Sequence, residues 1–508
     1  MTARYITTPI YYLNGTPHLG HVYTTVAADV LARYWRLTGA DVMFLTGTDD
    51  HGQKVAQAAH EAGESPQAYT DRLSIVWREM SDRVNASYDV FIRTTEERHY
   101  KAAQTLWEKL EAAGFIYRDV YAGWYALRDE AYVEEADIVD GKAPSGAPVV
   151  WVEEPSFFFK LSAFQKPLLD YYEAHPDAIG PVGRRNEVIS FIKGGLRDLS
   201  ISRSKFDWGV PVPGHPGHVM YVWIDALTNY ITALGYPDTH TEDFKKFWPE
   251  SIHLMGKDII RFHAVYWPAL LMGAGLTPPK RIMAHGWWTN RNEKMSKSVG
   301  NVIDPFQLID TYGLDPVRYF LMREVPFGQD GDFSEPALIG RLNSDLANDL
   351  GNLTQRVLSF VHKNAGACIP TPGEFTPEDR ELLAKAAHLH ETLHDDMAVQ
   401  AFHAYCQHIW EVIGEANRYV DAQKPWSLRK SEDPADHTRM NTVLYVLMEV
   451  IRHAAIYAQP VMPSSTGTIL DQLAQADRTF EGLKTPLKAG VFLPEPSPVF
   501  PRIEVRLR

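Results

Sequence analysis

Residues 42–52 read Val42-Met43-Phe44-Leu45-Thr46-Gly47-Thr48-Asp49-Asp50-His51-Gly52, an apolar run followed by a polar turn. The four apolar residues do not alternate with polar ones, which is typical of a strand buried on both faces. Ala3–Thr8 also has a strand-like composition, and between the two runs apolar residues recur at helical spacing at Leu19, Val22, Val26, Val30, Leu31 and Tyr34. Strand, helix and buried strand predict the βαβ unit of an open parallel sheet, in which ligands bind at the carboxyl ends of the strands.

The character of the sequence changes at about residue 117. Up to residue 218, apolar and polar residues alternate over short stretches. This pattern predicts short strands separated by Gly/Pro turns, over Tyr117–Tyr125, Val149–Glu153 and Phe157–Leu161. Runs typical of buried strands return at Val219–Val222 and Ser251–Met255. We interpret this order as one parallel sheet that is split by a small α+β insertion.

After about residue 340 the predicted elements are helices. An apolar stripe is formed by Leu342, Leu346, Leu350, Leu353, Val357 and Phe360, and further long helices are predicted over Met397–Tyr419 and Thr442–Ala458. An all-α helical bundle buries such stripes. We therefore expect an α/β fold with a Rossmann-type domain in two halves (1–116 and 219–290), the insertion (117–218), a linker (291–345) and a helical domain (346–508).

Composition limits the classes of protein to consider. The chain has 508 residues, of which 45% are hydrophobic and 22% charged, and this fits about three soluble domains of roughly 100–200 residues each. The two cysteines, Cys368 and Cys406, exclude a disulfide framework and a four-thiolate metal site. Met1–Ile10 lacks the apolar core of a signal peptide, and no run reaches about 18 apolar residues, so we expect a cytoplasmic protein without membrane segments. The net charge of −14 argues against a protein that coats nucleic acid non-specifically.

Two motifs carry phosphate-binding chemistry. His18-Leu19-Gly20-His21 lies where the first strand turns into the first helix, and a helix N-terminus favours phosphate. The two imidazoles can donate to phosphate oxygens, and the glycine lets a flat base approach the backbone. Lys294-Met295-Ser296-Lys297-Ser298 describes a loop whose lysines can clamp a polyphosphate. Either motif alone would also fit surface histidines beside a capping turn or a solvated basic loop, but the pair in this order is hard to obtain by chance.

Together with the sequence around them, these motifs resemble the methionyl-tRNA synthetase family of class I aminoacyl-tRNA synthetases. The supporting stretches are Pro9–His21, Phe44–Gly52, Leu199–Arg203, Tyr221–Ala226, Gly256–His263 and the Lys294 motif. The resemblance covers nearly the whole chain. It implies a ligase that activates L-methionine with ATP, releases pyrophosphate, and transfers methionine to the 3′ end of tRNA(Met) for translation initiation and elongation.

The resemblance also implies how ATP is bound. Attack of a carboxylate on the α-phosphorus needs positioning and neutralisation of phosphate charge, for which histidine, lysine and Mg²⁺ are suited. The implied ATP-binding residues are His18, Gly20, His21, Gly256, Asp258, Lys294 and Lys297, and four of them are the implied catalytic residues: His18, His21, Lys294 and Lys297. Asp258 would accept from the ribose hydroxyls, and a helix N-cap is the alternative role.

Nine positions match the family's methionine pocket: Ile10, Tyr12, Asp49, Trp223, Ala226, Tyr230, Ile259, Phe262 and His263. Asp49 would bind the ammonium group, while apolar and aromatic side chains would surround the thioether, whose sulfur is polarisable. An Asx-turn for Asp49 and ordinary core packing for the aromatic residues are the alternatives. The pattern departs from some relatives at Pro9 and Leu227.

Contacts with the tRNA anticodon are implied for Asn352, Arg356 and Trp426. Asn352 and Arg356 share a helix face, and Trp426 follows Pro425 at a helix break, where it could stack on an unpaired base. A solvated polar pair and a core tryptophan are the alternative. Residues 346–508 contain sixteen Lys/Arg and twenty Asp/Glu. A tRNA path must therefore be a local stripe, for example the basic run from Arg184 to Lys205.

The resemblance also bears on the metal content and on the oligomeric state. Many relatives carry a cysteine-rich knuckle in the insertion, whereas residues 121–130 contain no cysteine. A structural zinc site needs four N or S ligands, so we expect no structural zinc. Some relatives carry an additional C-terminal domain that binds tRNA and dimerises. The sequence up to Arg508 shows no such domain, so we expect a monomer.

The alternatives are another class I aminoacyl-tRNA synthetase and a catalytically silent paralogue. The valine, isoleucine and leucine members of class I normally carry a larger editing insertion than the roughly 100 residues predicted here, and the cysteine member uses a cysteine-ligated zinc, whereas no cysteine precedes Cys368. A catalytically silent paralogue that only binds nucleotide or RNA would be expected to lose His18, His21, Lys294 or Lys297. Nothing in the sequence specifically favours a scaffolding role.

Overall fold

The computed structural model describes residues 2–13, 15–126, 131–133, 135–291, 293–295 and 302–504. The chain divides into two compact units. The first comprises Met1–Ala28 and Asp41–His285, and the second comprises Asp29–Ala40 and Gly286–Arg508.

The strands of the first unit, within the described residues, are β1 (Ala3–Thr7), β2 (Tyr11–Tyr12), β3 (Asp41–Asp49), β4 (Val90–Arg93), β5 (Ile116–Ala126), β6 (Ala131–Val133), β7 (Val150–Phe159), β8 (Ile179–Gly180), β9 (Leu199–Ser200), β10 (Ser202–Arg203), β11 (Val219–Met220), β12 (Ser251–Gly256) and β13 (Arg281–His285). Its helices are α1 (Leu19–Leu37), which begins in this unit, α2 (Gln53–Glu61), α3 (Pro66–Arg83), α4 (Glu97–Ala112), α5 (Gln165–Ala174), α6 (Val182–Lys193), α7 (Val222–Thr232), α8 (Glu242–Phe247) and α9 (Trp267–Gly273).

One parallel sheet forms the centre of the first unit. Its strand order is β2-β3-β1-β12-β13-β8, and β4 also pairs with β3. Tyr5 and Ile6 of β1 and Leu254 of β12 are fully buried, as expected for a parallel sheet that is covered on both faces. Gly47 permits the close approach of β4 to β3, because a Cβ atom there would lie 2.0 Å from the carbonyl oxygen of Ile92. The predicted Rossmann-type fold class is confirmed.

The carboxyl ends of the parallel strands meet at one edge of this sheet. Thr7, Asp49, Gly256 and His285 are the last residues of β1, β3, β12 and β13. Asp49 and the turn from Gly256 to Asp258, which are predicted to bind methionine and ATP, therefore lie at strand ends on the same side of the sheet.

The insertion contains a four-stranded antiparallel sheet with the order β6-β5-β7-β9. The prediction of two separate strands at Val149–Glu153 and Phe157–Leu161 was wrong, because β7 is one continuous strand. Glu154, Pro155 and Ser156 resemble a turn in the sequence. Pairing with β5, in which Pro155 lies opposite Val120, keeps this segment extended.

The return of the chain to the parallel sheet also differs from the prediction. Val219–Met220 pairs antiparallel with Ser202–Arg203 and lies outside the parallel sheet, and Val222 already begins α7. The sheet resumes only at β12. In the other direction, Ile179–Gly180 lies within residues 117–218 and yet pairs with β13 of the parallel sheet.

Short irregular helical turns connect β12 to α9. A 3₁₀ turn covers Lys257–Ile259, and a π-helical turn covers Phe262–Tyr266. π-helical turns are rare and frequently occur at functional sites.

The second unit is mainly helical. Its helices are α10 (Pro305–Tyr312), α11 (Leu314–Arg323), α12 (Glu335–Arg341), α13 (Asn352–Asn364), α14 (Pro377–Ala398), α15 (Phe402–Gln423), α16 (Pro425–Leu428), α17 (Pro434–Ala458) and α18 (Pro463–Gln472), and a π-helical segment over Leu342–Gly351 joins α12 to α13. A small sheet has the order β15-β14-β16, with β14 (Trp288–Asn290), β15 (Glu293–Lys294) and β16 (Gly331–Phe333). In the part of the chain that the structure describes, no helix is long and apolar enough to cross a membrane.

The predicted apolar stripe packs inwards, with five of its six residues buried and Phe360 partly buried. The single helix predicted over Met397–Tyr419 was wrong, because α14 ends at Ala398 and α15 begins at Phe402. Gln400, between them, has a φ of 59° in the left-handed region. Its side-chain amide donates to the carbonyl oxygens of Met397 and Ala398, which satisfies the end of α14 without a glycine.

Candidate active site

The two histidines of the first motif lie at the start of α1. Nδ1 of His18 accepts a hydrogen bond from the backbone N–H of Gly20 at 3.0 Å, and Nδ1 of His21 accepts from the backbone N–H of His18 at 3.1 Å. Each neutral ring therefore carries its proton on Nε2, which makes it a hydrogen-bond donor on that side. The ring centroids are 3.7 Å apart, so the two donors form one surface at a helix N-terminus, where anions are favoured.

The position of each ring depends on its neighbours. A Cβ atom on Gly20 would lie 2.9 Å from Cε1 of His18, so this placement of the His18 ring requires glycine. The edge of the Trp77 ring packs against His21 with centroids 4.6 Å apart, and Tyr11 packs against His21 at 5.2 Å. Trp77 belongs to α3, and no signal in the sequence connects it to the motif.

Gly256 and Asp258 lie at the carboxyl end of β12. A Cβ atom on Gly256 would lie 2.6 Å from Oδ1 of Asp258 and 3.7 Å from Cε1 of His285. The N-cap of the 3₁₀ turn is Gly256, so the alternative role of Asp258 as a helix N-cap does not apply. Nε2 of His285 lies 2.6 Å from Oγ1 of Thr24. Sequence reasoning missed His285, although its place at the end of a predicted parallel strand is the same signal that singled out Asp49.

Aromatic rings form one wall of the predicted methionine pocket. The rings of Trp223 and Phe262 are parallel within 6°, with centroids 3.7 Å apart, and His263 presents its edge to Trp223 at 6.2 Å. Phe262 and His263 lie on the π-helical turn, whereas Trp223 belongs to α7. The hydroxyl of the fully buried Tyr230 lies 2.7 Å from Nε2 of His263.

The protonation of His263 follows from its two partners. Nδ1 donates to the carbonyl oxygen of Ile259 at 3.0 Å, so Nε2 accepts from the hydroxyl of Tyr230. Burial lowers the pKa of His263 to about 4, which keeps the ring neutral at neutral pH. An uncharged aromatic wall of this kind suits a thioether, which is polarisable and makes few hydrogen bonds.

The other predicted pocket residues lie on the same side of the sheet. Asp49 is 6% exposed at the end of β3, and Tyr12 of β2 is its partner in the strand ladder. Ile10, Ala226 and Tyr230 belong to one buried cluster, against which four further residues pack: Tyr12, Trp223, Ile259 and Phe262. Asp49 ends β3, and Ile259 and Phe262 follow β12, so these predicted residues lie at the same edge of the parallel sheet.

A buried polar network lies behind these residues. Asp225 is fully buried, with Oδ2 at 2.6 Å from Nδ1 of His51 and Oδ1 at 2.7 Å from Nε2 of His99. Burial disfavours the charged carboxylate, but His51 and His99 outweigh this effect and lower the pKa of Asp225 to about 2. Nε2 of His51 also lies 2.9 Å from the hydroxyl of Tyr100. The sequence motifs contain His51 and Asp225 without indicating that they meet.

The lysine motif is only partly described. Lys294 is the last residue of β15 and pairs with Thr289 of β14. Its side chain and the whole of Lys297 lie outside the described residues.

Two of the three predicted anticodon residues, Arg356 and Trp426, line a cavity of about 130 Å³ in the second unit, together with Val357, Phe360, Val420, Pro425 and Leu444. Cζ of Arg356 lies 5.2 Å from the ring centroid of Trp426, and Nη2 of Arg356 lies 3.1 Å from Oδ1 of Asp421. Trp426 is 37% exposed, so it is not the core tryptophan of the alternative interpretation. Asn352 is exposed at the start of α13, one turn before Arg356.

Comparison with known families gives two matches that together cover most of the chain. A family model described as "tRNA synthetases class I (M)" matches residues 4–149 and 133–358. A second, described as "Anticodon binding domain of methionyl tRNA ligase", matches residues 369–506.

Individual relatives and solved structures agree with these matches. The chain is 54% identical to the methionine–tRNA ligase of Mycobacterium tuberculosis H37Rv, over 99% of this chain and 98% of the relative. It is 56% identical to the methionine–tRNA ligase of Brucella suis, over 98% of this chain and 97% of the relative. The structure of M. tuberculosis methionyl-tRNA synthetase in complex with methionyl-adenylate superposes with a TM-score of 0.97 at 54% identity, covering 99% of this chain and 100% of that one. The structure of the free form of the same enzyme superposes with a TM-score of 0.91 at 50% identity, and the match covers 100% of this chain and 99% of that one. The chain therefore belongs to the methionyl-tRNA synthetases, a family of class I aminoacyl-tRNA synthetases.

Proposed function

We propose that this chain is a methionine–tRNA ligase that forms methionyl-adenylate from L-methionine and ATP and then transfers methionine to tRNA(Met). The observation that carries the proposal is that one compact unit holds both an uncharged aromatic wall of Trp223, Phe262 and His263 and a pair of imidazole donors at the start of α1. A pocket of this chemistry suits a thioether, and the imidazole pair suits a triphosphate. The family membership of the whole chain supports both parts of the reaction.

In the first step a carboxylate oxygen of methionine attacks the α-phosphorus of ATP, and the bond to the β-phosphate oxygen breaks to release pyrophosphate. No nucleophile or base from the protein is needed, so the residues act by positioning and by neutralising charge. Nε2–H of His18 and of His21 would donate to the triphosphate. Gly20 would let the adenine approach the backbone closely.

Other residues complete the proposed nucleotide site. The carboxylate of Asp258, which folds back over Gly256, would accept from the ribose hydroxyls. Lys294 and Lys297 would neutralise the α-phosphate as it becomes pentacoordinate and the pyrophosphate as it leaves. In the second step a ribose hydroxyl at the 3′ end of tRNA attacks the methionyl carbonyl carbon, and AMP leaves.

The amino acid would be held by its ammonium group and by its thioether side chain. The carboxylate of Asp49 would pair with the ammonium group. Trp223, Phe262 and the apolar residues packed with them would surround the thioether. His263 would belong to the same wall of the pocket. The hydroxyl of Tyr230 donates a hydrogen bond to Nε2 of His263 and holds the ring in place.

ATP is proposed to enter as its Mg²⁺ complex. Among the residues that the structure describes, no group of three or more His, Cys, Asp and Glu is placed to hold a metal ion. A Mg²⁺ ion that accompanies a nucleotide is usually bound mainly by the phosphates and by water. Bound Mg²⁺ would neutralise phosphate charge. Structural zinc is not part of the proposal, because both cysteines, Cys368 and Cys406, lie outside residues 117–218.

We further propose that the cavity around Arg356 and Trp426, with Asn352 beside it, reads the anticodon of tRNA(Met). An exposed indole beside a guanidinium offers stacking and hydrogen bonding to an unpaired base. The proposed enzyme acts as a monomer in the cytoplasm, and its five proposed segments are those expected from the sequence: 1–116, 117–218, 219–290, 291–345 and 346–508.

The test is ATP–pyrophosphate exchange with each of the twenty amino acids in turn, with and without Mg²⁺. We expect exchange that depends on both methionine and Mg²⁺. Exchange that responds to valine or cysteine instead of methionine would contradict the substrate, and no exchange with any amino acid would contradict the enzymatic function. Charging of tRNA(Met) by the same preparation then tests the second step.

A further inference from the structure

We propose that Asp225, held between His51 and His99, is a positioning residue of the methionine pocket. The inference rests on the proposed function and concerns how the walls of the pocket are held together. Asp225 connects three elements: the turn after β3, helix α4 and helix α7.

The contacts of Asp225 define the network. Its two carboxylate oxygens take different partners, with His51 at 2.6 Å on one side and His99 at 2.7 Å on the other. The outer nitrogen of each ring is also engaged, by the Tyr100 hydroxyl at 2.9 Å and the Thr232 hydroxyl at 3.1 Å. Both carboxylate oxygens and all four ring nitrogens therefore have partners.

The sequence positions of the network place it next to predicted substrate contacts. His51 follows Asp49 by two residues in the turn that ends β3, and Asp225 lies on α7 between Trp223 and Ala226. A carboxylate that binds His51 therefore fixes the turn of the ammonium-binding Asp49 relative to the helix of the aromatic wall. His99 fixes the other side of the same carboxylate to α4.

Burial makes the network sensitive to small changes. Asp225 and His99 are fully buried and His51 is 1% exposed, so water cannot take the place of a lost partner. An amide at position 225 has one oxygen acceptor, and its NH₂ group would face an imidazole N–H that now donates to the carboxylate. Either the imidazole on that side moves its proton to the outer nitrogen and reverses the hydrogen bond there, or that side of the network opens. In both cases the distance between Asp49 and the aromatic wall is held less firmly.

The experiment uses Asp225→Asn in the full-length protein. Exchange kinetics are measured with methionine and ATP varied separately, and active enzyme is counted by titration of adenylate formation. We expect KM for methionine to rise by about tenfold or more while KM for ATP changes by less than about twofold, because only the amino-acid pocket loses its alignment. A purely structural role would instead lower the fraction of active enzyme and leave both KM values unchanged.

A matched control is Asp379→Asn in the second unit. Asp379 is also a fully buried carboxylate, which accepts from Arg439 at 2.5 Å and from Tyr419 at 2.6 Å. This variant is expected to lose thermal stability with no change in KM for methionine. An equal rise in that KM would overturn the proposal.

Tyr100→Phe keeps the test decisive if Asp225→Asn does not fold. It removes only the hydroxyl on Nε2 of His51, and KM for methionine should rise by about two- to fivefold. Methionine-dependent exchange in the wild type with unchanged methionine KM in the foldable variants would overturn this inference and leave the proposed function standing. A wild type without methionine-dependent exchange would overturn the proposed function and this inference with it.

Discussion

At the scale of single residues, the His18–His21 pair shows how backbone groups set side-chain chemistry. Both Nδ1 atoms accept from backbone N–H groups of the same turn, so both rings carry their proton on Nε2. Imidazoles in this form can donate to phosphate without being charged. Gly20 is essential to this arrangement because any Cβ atom would enter the space of the His18 ring.

Gly20→Ala is therefore expected to impair ATP use without removing a functional group. The new Cβ would lie 2.9 Å from Cε1 and 3.1 Å from Nδ1 of His18, and the ring must move. We expect kcat/KM for ATP to fall by about 10- to 100-fold, because a displaced catalytic group loses its alignment with the reacting phosphates. The measurement is ATP–pyrophosphate exchange at saturating methionine.

Gly183→Ala is the control for this substitution. Gly183 also lies near the start of a helix, α6, and a Cβ atom there meets nothing within 4 Å. Gly183→Ala should leave exchange unchanged and should make the protein slightly more stable, because alanine in a helix is more stable than glycine by roughly 0.5–1 kcal/mol. Equal exchange rates in the two alanine variants would show that the position of the His18 ring does not matter.

The site residues that could be predicted from the sequence are those that lie close together in a motif. His18, Gly20 and His21 lie within four positions, so their pattern is visible without a structure. The Asp225 network could not be found in this way, because Asp225 is 174 residues from His51 and 126 residues from His99. Only the fold brings such distant polar residues together, and each of them alone looks like an ordinary polar side chain.

At the scale of secondary-structure elements, hydrophobic periodicity predicted most strands and helices, and the errors have local causes. Pairing with β5 keeps β7 extended through Pro155. The left-handed Gln400 ends α14 within a stretch whose composition favours a helix. The brief strand at Val219–Met220 pairs antiparallel with β10 and not with the parallel sheet. In each case a tertiary or backbone contact outweighed local preference.

Helices α13, α15, α16 and α17 supply the proposed anticodon cavity, and its Trp426 can be tested separately from catalysis. Stacking of a base on an aromatic ring contributes about 1–3 kcal/mol, so Trp426→Ala should raise KM for tRNA(Met) by about 5- to 150-fold. Methionine-dependent exchange needs no tRNA and should stay at the wild-type rate. The two activities are measured on the same preparation.

Phe492→Ala serves as the control for the tryptophan variant. Phe492 is 67% exposed in the second unit and does not line the cavity. Its replacement should leave both exchange and aminoacylation unchanged. If Trp426→Ala leaves aminoacylation unchanged, as Phe492→Ala should, the cavity is not the anticodon site. If Trp426→Ala slows methionine-dependent exchange, the substitution affects folding and not tRNA recognition.

At the scale of the whole molecule, charge restricts how tRNA can bind. The net charge is −14, and residues 346–508 carry sixteen basic and twenty acidic side chains. Arg356, the cation that lines the proposed anticodon cavity, already pairs with Asp421. A cation that must leave a carboxylate to contact a phosphate gains little, so stacking and shape should contribute more to affinity than bulk charge.

The salt dependence of tRNA(Met) binding tests this view. The logarithm of the binding constant falls with the logarithm of salt concentration by about 0.9 for each duplex phosphate contact, and we expect a slope no steeper than about −3. A slope near −6 or steeper would instead mean that a strongly basic surface, such as the run from Arg184 to Lys205, dominates binding. Arg356→Gln refines the result, because loss of a phosphate contact would make the slope shallower by about 1, whereas loss of a base contact would weaken binding and leave the slope unchanged.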